Sequence, residues 1–444
     1  MLGEGILARD RPRPLHYRVR TLKALLVAMY FPPAGGGGVQ RPLKFATHLP
    51  GLGIETHVLA PTDSKWIHRD EETEPPPEAI VHRARFVGPK ARKPAEELHG
   101  TRGVERLARQ ATLAGRRLLL PDASVSWNLT AIPEAIRIVR REQIDVIVTT
   151  SPPSSVHFVG AAVARATGIP WVADLRDSVV AHPHRRAERR SVQLKESAER
   201  GVARLVAGKA AAIVAVSDAI ATEMKDRSPR GPVVTIPNGS DFDDFAGLPY
   251  HRGERFRITH TGSFFGKRDP RPFLSALVGG DFDDVTARFV GDFRSSDLEW
   301  ARAQGLGDLL ELVPYAPRQR SLELQRDSEA LLLLIPDAGG RGRGVLSGKV
   351  FEYVAAERPI LAVVPPDGAA AELLRETGAG VVVAPDDIEG IAHALGALRD
   401  RWRTDTLAST VLSPAVRTSL SRQERVKELA SVLASVTGHR PGES

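Results

Sequence analysis

The sequence has no cysteine, few aromatic residues and no long apolar run. The absence of cysteine excludes disulfides, thiol nucleophiles and cysteine-ligated metal sites. No stretch approaches the roughly 18 apolar residues that cross a bilayer. The 13 histidines are scattered and form no HExxH pair, which argues against a metal hydrolase. The chemistry of this chain must therefore rest on hydroxyl, carboxylate, imidazole and cationic side chains.

The length of 444 residues predicts two domains of roughly 200 residues each. The net charge of +7 favours an anionic partner: a nucleotide, an acidic lipid or nucleic acid. No nucleic-acid module is apparent and few aromatics are interleaved with the basic runs, so nucleic acid is not expected. Residues 1–22 are basic and lack an apolar signal core, so we expect an extension here rather than a secretory signal.

Short apolar segments alternate with helical patterns along most of the chain, which is typical of parallel α/β sheets. The expected strands cover residues 23–29, 56–60, 145–149, 171–174, 212–216, 233–236, 257–261, 287–290, 331–335, 360–364 and 380–383. Polar sequence after residue 236 interrupts the alternation, which then restarts. We therefore expect one doubly wound domain over residues 23–245, a linker over 246–254 and a second domain over 255–405. Residues 406–444 should form a helix that packs back on the first domain, followed by a tail.

The segment 347–359 combines a helix start with two opposite charges. Ser347 is a suitable N-cap, and Lys349 and Glu352 share one face in the first turn. The free amides at Gly348, the helix dipole and the lysine suit a phosphate or diphosphate. Glu352 could accept hydrogen bonds from a sugar hydroxyl. A surface Lys–Glu ion pair on an ordinary helix is the alternative.

A glycine loop joins the first strand to the first helix. Gly36 and Gly37 let the backbone approach a ligand closely, and Arg41 follows in the first helical turn. The dinucleotide pattern GxGxxG fails, because its last glycine would fall on Gln40 or Arg41. The P-loop pattern fails too. The loop therefore predicts a ligand contact, with a purely structural turn as the alternative.

Further candidates follow two strands of the first domain. His157 lies in a first helical turn, where it could donate to a substrate hydroxyl, although a structural histidine is an open alternative. Asp174 and Asp177 lie at the end of a strand, where parallel sheets form their ligand crevice. Either aspartate could bind acceptor hydroxyls, or both could simply pair with Arg176.

In the second domain, Gly262 and Ser263 open a loop that continues to Lys267 and Arg268. A glycine loop followed by two cations can hold a diphosphate by charge-assisted bonds. The acidic triplets at 241–243 and 281–283 imitate a DxD metal motif, but neither clearly follows a strand beside a nucleotide site. No metal and no cofactor are therefore expected.

The run Gly-Lys-Val-Phe-Glu-Tyr-Val-Ala-Ala-Glu-Arg-Pro-Ile at 348–360 resembles the donor-site helix of family 4 glycosyltransferases, which have the two-domain GT-B fold. The glycine loop and the turn at 236–241 resemble that family too, and the likeness extends over about 23–430. It implies transfer of a sugar from a nucleoside-diphosphate donor to a hydroxyl, with retention and without metal. It also implies that Pro314 and Tyr315 hold the base and that Glu352 holds the ribose.

The chain departs from the family pattern at three places. Ser263 replaces an arginine, and residues 149–151 replace a histidine at a strand end. The first of the family's two paired glutamates, which lies near the donor sugar, is Gly344 here. We expect Arg341 and Arg343 in the loop 339–348 to contact the sugar instead.

Two rival functions stay open: a GT-B nucleotide-sugar epimerase, and a non-catalytic partner or scaffold that kept the fold. The expected acceptor is a glycan, a lipid-linked sugar or a small hydroxyl compound, in cell-surface glycan or glycolipid synthesis. The expected location is cytoplasmic. Residues 102–120 mix arginines with apolar residues, which indicates weak binding to an anionic membrane at the inner face of the plasma membrane. A helix packed on the first domain is the alternative.

Overall fold

A computed structural model describes residues 21–62, 68–88, 119–179, 190–264 and 268–439. Two parallel sheets dominate it, each with helices on both faces. Their inner strands are largely buried, as in Ala330–Leu334, where all five residues are buried. Strands of this kind are covered on both faces, which is the arrangement that parallel sheets require.

The first domain contains a seven-stranded sheet. Its strands are β1 Leu22–Ala28, β2 Ile54–Pro61, β3 Ile80–Ala84, β4 Val146–Ser151, β5 Trp171–Leu175, β6 Ala212–Ala215 and β7 Val233–Thr235. Its helices are α1 Gln40–His48, α2 Asn128–Glu142, α3 Val156–Thr167, α4 Arg190–Lys209 and α5 Asp218–Lys225. The order β3-β2-β1-β4-β5-β6-β7 reverses direction between β1 and β4. This switch point places the ligand crevice at the carboxyl ends of those strands.

The second domain contains a six-stranded sheet in the order β10-β9-β8-β11-β12-β13. The strands are β8 Phe256–Thr261, β9 Val285–Val290, β10 Leu310–Val313, β11 Ala330–Leu334, β12 Ile360–Val363 and β13 Gly380–Val383. Its helices are α6 Arg271–Val278, α7 Ser295–Ala303, α8 Arg318–Arg326, α9 Gly348–Ala355, α10 Ala369–Thr377 and α11 Ile388–Arg403. The switch point between β8 and β11 opens toward the first domain. The prediction of two doubly wound parallel domains is confirmed.

The chain ends on the first domain. Two helices follow the second sheet: α12 Pro414–Leu420 and α13 Arg422–Thr437. Val426, Leu429 and Leu433 of α13 are buried in the same apolar core as Leu26 of β1. Ser240 and Ser421 also form a parallel β-bridge. The chain therefore passes between the two domains twice, once after the first sheet and once after the second.

Two strands escaped the sequence prediction, and both are edge strands. In β3 only Ala84 is fully buried, and in β10 no residue is. Edge strands carry polar side chains because one flank faces water, so they lack the continuous apolar run that identifies inner strands.

Among the described residues, no helix is both long and apolar enough to cross a bilayer. Most of the segment 102–120 lies outside the described residues.

Candidate functional site

A cleft of about 740 Å³ separates the two domains and is lined by residues from both. This volume is within the range of small-molecule sites. The glycine loop before α1 forms one wall, and the start of α9 forms the opposite wall. The carboxyl ends of both sheets therefore meet at one crevice.

Helix α9 places Lys349 at the floor of the cleft. Val350 and Tyr353 are buried, and the amide of Thr261 donates to the Tyr353 hydroxyl oxygen at 2.8 Å, which holds the helix over the end of β8. The Lys349 ammonium then lies against Gly262, where an added Cβ would come within 2.1 Å of Nζ. Gly262 also has φ +115°, a backbone conformation that favours glycine.

The Lys349 ammonium is buried and has no hydrogen-bond partner among the described residues. Burial lowers the pKa of Lys349 well below its ordinary value; Arg268 lowers it further, and Glu352 opposes the shift. A buried cation without a partner is costly unless an anion completes it. The position is therefore suited to an anionic ligand.

Arg268 adds a second cation to the same wall. Its guanidinium donates to the Ser263 carbonyl at 3.1 Å. Burial lowers the pKa of Arg268, and the fields of Tyr353 and Asp177 oppose this. Lys267, the other cation predicted for this loop, lies outside the described residues. Two cationic groups, Lys349 and Arg268, are thus brought together as a diphosphate would require.

The hydroxyl of Ser263 is engaged in holding the loop. It donates to Asp292 at 2.9 Å, and the same carboxylate accepts from His68 Nε2 at 2.9 Å. The His68 ring stacks on Tyr315 with a centroid distance of 4.0 Å. Because His68 belongs to the first domain, this set of contacts closes one end of the cleft. Ser263 thus lines the cleft, but its hydroxyl is used to hold Asp292, which contacts His68 of the first domain.

The glycine loop approaches the base-holding segment very closely. A Cβ added at Gly35 would lie 2.1 Å from the Tyr315 hydroxyl. Gly36 has φ +91°, and both Gly36 and Gly37 face open space in the cleft. Tyr315 lines the cleft, whereas Pro314 is exposed beside it and does not. The predicted ligand contact by the loop is consistent with this placement.

Arg176 fixes the shape of the glycine loop. Its guanidinium donates to the carbonyls of Ser151 at 2.7 Å, Pro152 at 3.2 Å and Gly38. These three carbonyls belong to the end of β4 and to two separate loops. Burial lowers the pKa of Arg176, and Asp174 and Asp177 oppose the shift. Arg176 therefore acts as a scaffold for the loop.

Glu352 is oriented by two donors. Arg318 reaches one carboxylate oxygen at 2.8 Å, and Gln325 reaches the other at 2.6 Å. Arg318 also donates to Asp244 at 2.7 Å, and its backbone amide donates to Asp70 at 3.1 Å. Burial alone would lower the pKa of Arg318, but Glu352 and Asp244 outweigh it and raise the pKa.

The role of Arg318 is not predictable from the sequence. Its partners lie 34 and 74 positions away, so local spacing gives no sign of them. The one available signal is its place at the start of a helix, three residues after Tyr315.

Gly344 lies where a side chain has no room. A Cβ added there would come within 2.7 Å of the Ala219 Cβ on α5. The Gly344 carbonyl accepts a hydrogen bond from Ser217 at 3.1 Å. Ser217 occupies the N-cap of α5 without making a capping bond. Ser347 likewise occupies the N-cap of α9 with no capping bond from its side chain.

Residues 35–244 match the sequence model of Glycosyltransferase Family 4. The first domain is therefore similar in sequence to glycosyltransferase family 4. The resemblance found in the sequence is thereby confirmed. No curated protein sequence matches the chain significantly.

Solved glycosyltransferases resemble the whole chain in fold. HepE from Anabaena in complex with UDP-glucose has 16% identity and a TM-score of 0.61, over 93% of this chain and 100% of HepE. Sucrose-phosphate synthase from Thermosynechococcus elongatus has 15% identity and a TM-score of 0.59, over 94% and 97%. A glycosyltransferase from Rickettsia africae has 13% identity and a TM-score of 0.60, over 94% and 98%. These likenesses confirm the GT-B fold.

The first domain does not place His157 at the cleft as predicted. The side chain is fully buried behind the cleft and does not line it. His157 Nδ1 lies 2.8 Å from Thr149 Oγ1, which also accepts from Trp171 Nε1 at 2.7 Å. Burial lowers the pKa of His157 to about 3, with Asp174 opposing the shift. The predicted catalytic role is therefore wrong, because a buried neutral ring cannot reach a ligand.

The predicted acceptor role is contradicted for Asp174, which is buried and does not line the cleft, whereas Arg41 does line it. Asp174 is fully buried and accepts three contacts from the Arg41 guanidinium, between 2.8 and 3.1 Å, and one from the Thr150 hydroxyl at 2.7 Å. Arg41 also donates to the carbonyls of Ile236 and Pro237. The pair joins α1, β5 and the end of the first domain, so Asp174 is structural, while an acceptor contact by Arg41 stays a prediction. Asp177, in contrast, is exposed on the cleft wall.

The two arginines of the loop 339–348 occupy different environments. Arg341 lines the cleft and pairs with Glu196 of α4 at 3.3 Å. Arg343 pairs with Asp367 at 3.2 Å, is largely exposed and does not line the cleft. Arg343 therefore lies outside the cleft lining, and its expected sugar contact stays a prediction. Within the described part of the chain, no group of three or more His, Asp or Glu side chains could hold a metal ion.

Proposed function

We propose that the chain transfers a sugar from a nucleoside-diphosphate donor to a hydroxyl acceptor, with retention and without a metal ion. The observation that carries this proposal is the buried Lys349 ammonium. It faces the interdomain cleft at a helix start and has no hydrogen-bond partner within the described residues. A donor diphosphate would supply the missing negative charge.

The diphosphate would lie between the amides of the glycine loop and the start of α9. When the bond from the anomeric carbon to the phosphate oxygen breaks, negative charge grows on the departing diphosphate. Lys349 and Arg268 are placed to stabilise that charge, which is where such groups accelerate a reaction most. In a retaining transfer the acceptor hydroxyl approaches the face that the phosphate leaves. Its proton can then pass to the departing phosphate oxygen while the new glycosidic bond forms.

Glu352 would receive the donor ribose. Arg318 and Gln325 fix the carboxylate in one orientation before any ligand arrives, which lowers the entropy cost of binding. Glu352→Gln should therefore weaken donor binding without unfolding the protein. HepE was solved with UDP-glucose, which supports a sugar nucleotide as donor and makes UDP-sugars the first to test.

Acceptor and location follow from the same proposal. Asp177 on the cleft wall is the remaining candidate for an acceptor hydroxyl. We propose a glycan, a lipid-linked sugar or a small hydroxyl compound as the acceptor, in cell-surface glycan or glycolipid synthesis. The proposed location is the cytoplasm, with weak binding to the membrane's inner face. Co-sedimentation with anionic vesicles at low salt tests the membrane part of the proposal.

A panel of UDP-, GDP-, ADP- and dTDP-sugars tests the function. We expect one donor to stabilise the protein against heat and to release its nucleoside diphosphate when an acceptor is present. An altered sugar nucleotide formed without acceptor would indicate an epimerase instead. No nucleotide binding at all would indicate a non-catalytic scaffold. Lys349→Met should abolish release, whereas Lys427→Met, at a largely exposed lysine of α13, should not.

A further inference from the structure

Glu223 on α5 is a carboxylate of the cleft wall that the proposed chemistry does not use. One of its oxygens accepts from the Ser178 hydroxyl. The other, Oε1, is buried and has no hydrogen-bond partner in the described parts of the chain. Among the described residues, Arg227 is a nearby cation, with 3.9 Å between Nη2 and Oε1, which is too long for a hydrogen bond. A buried carboxylate oxygen with unused acceptor capacity is costly unless a donor arrives.

The position of Glu223 relates it to the missing glutamate at 344. Ala219 packs directly on Gly344, and Glu223 follows Ala219 by four residues on the same face of α5. Gly344 in turn precedes Gly348, where the diphosphate helix begins, by only four residues. Glu223 and the segment 344–348, which leads into the diphosphate site, line the same cleft. A sugar attached to the diphosphate would lie next to that segment.

We propose that Glu223 determines sugar specificity by accepting a hydrogen bond from a hydroxyl of the donor sugar. The second domain cannot carry a carboxylate at 344, because a side chain there would meet Ala219. The first domain supplies one from the facing helix instead. This inference rests on the proposed transferase function. It implies that Lys349 of the second domain binds the diphosphate and that Glu223 of the first domain binds the sugar.

The chemistry of the carboxylate selects a hydroxyl rather than a phosphate. A carboxylate repels the negative diphosphate and accepts hydrogen bonds from hydroxyl groups. It can therefore recognise the sugar but not the diphosphate. Arg341 lines the same cleft, yet Glu196 at 3.3 Å already pairs with it. A site built to hydrogen-bond one hydroxyl discriminates strongly against a sugar that lacks it.

The test compares Glu223→Ala with the full-length parent by calorimetry, using matched ligand pairs. The pairs are UDP with UDP-glucose, GDP with GDP-mannose, and ADP with ADP-glucose, and the pair that the parent binds is carried forward. We expect at least about a tenfold loss of affinity for the sugar nucleotide, with the bare diphosphate unchanged. Glu376→Ala, at an exposed glutamate of α10, should change neither affinity. If Glu223→Ala does not fold, the isosteric Glu223→Gln takes its place, with the same direction expected.

Four results would overturn the inference or its basis. Equal weakening of both ligands would make Glu223 a structural support of the cleft. Unchanged affinity for both would remove it from the donor site. A raised KM for the acceptor alone would place the carboxylate at the acceptor. Failure of the parent to bind any pair would refute the transferase proposal itself, which distinguishes that failure from the other three.

Discussion

The Lys349 ammonium packs against the α-carbon of Gly262, so closely that a Cβ at 262 would come within 2.1 Å of Nζ. The two residues are 87 positions apart and belong to different connections of the second sheet. Gly262 leaves room for the lysine only because it lacks a side chain. The contact aims a buried cation at the crevice where the two domains meet.

Gly262→Ala should displace Lys349 and weaken sugar-nucleotide binding by at least about tenfold. The positive φ at 262 adds strain for alanine, so we also expect a loss of about 1 kcal/mol or more in unfolding free energy. Calorimetry at a temperature where the variant is folded separates the two effects. Gly396→Ala in α11, where the added methyl meets nothing within 4 Å, serves as the control. Parent-like affinity in Gly262→Ala would show that the lysine does not contact the ligand.

Donor binding should depend on pH through Lys349. Its pKa in the free protein is lowered by burial, and a bound diphosphate raises that pKa by favouring the charged form. Binding therefore takes up a proton, and affinity falls as the pH rises from the lowered pKa of the free protein toward the pKa in the complex. Below the lowered pKa, affinity should be constant.

Calorimetry in two buffers of different ionisation enthalpy measures this proton uptake. A sugar nucleotide is the right ligand, because its two phosphates carry no proton near neutral pH. Lys349→Met should bind weakly and with no uptake from this group. Release of protons by the parent would have the opposite sign and contradict the assignment.

Arg318→Met should destabilise the protein. The change leaves Glu352 and Asp244 without their shared cation, and removal of one partner from a largely buried ion pair costs about 3 kcal/mol. Arg320→Met on the same helix is a matched control, because Arg320 is 59% exposed and pairs only with Glu323, so its loss should cost about 0.5 kcal/mol or less. Chemical denaturation of both variants gives the difference. Equal unfolding free energies for the two variants would mean that the ion pairs of Arg318 with Glu352 and Asp244 do not stabilise the protein.

His157→Gln should preserve donor affinity and turnover while lowering the melting temperature. The ring is fully buried beside Trp171 and stays neutral, because burial lowers its pKa to about 3. The free energy of unfolding should fall by about 1 kcal/mol or more, which is typical when a buried hydrogen bond is disturbed. A steady-state assay beside a thermal melt measures both quantities. A fall in turnover without a fall in stability would restore the catalytic role.

Eleven strands were predictable because each contains a short run rich in apolar residues. The edge strands β3 and β10 were not, since their half-exposed residues imitate loop sequence. Lys349 and the glycine loop were predictable as well, because local spacing places cations and free amides at the carboxyl ends of strands. In these cases the signal lies within one segment.

The remaining features depend on contacts between distant segments. The first-turn position of His157 was visible, but which face of α3 it occupies depends on packing against Trp171. Asp174 looked like a ligand residue because Arg41, 133 positions away, could not be recognised as its partner. The unusual Gly344 was visible in the sequence, but its reason, the closeness of Ala219, required the packed domains.

Calorimetric titration of the parent and of Lys349→Met with the same sugar nucleotide shows whether this lysine holds the donor. We expect saturable binding of one nucleoside-diphosphate sugar by the parent, and affinity at least about tenfold weaker in the variant. Lys427→Met should bind as the parent does. Binding by Lys349→Met with unchanged affinity would contradict the claim that this buried lysine holds the donor diphosphate.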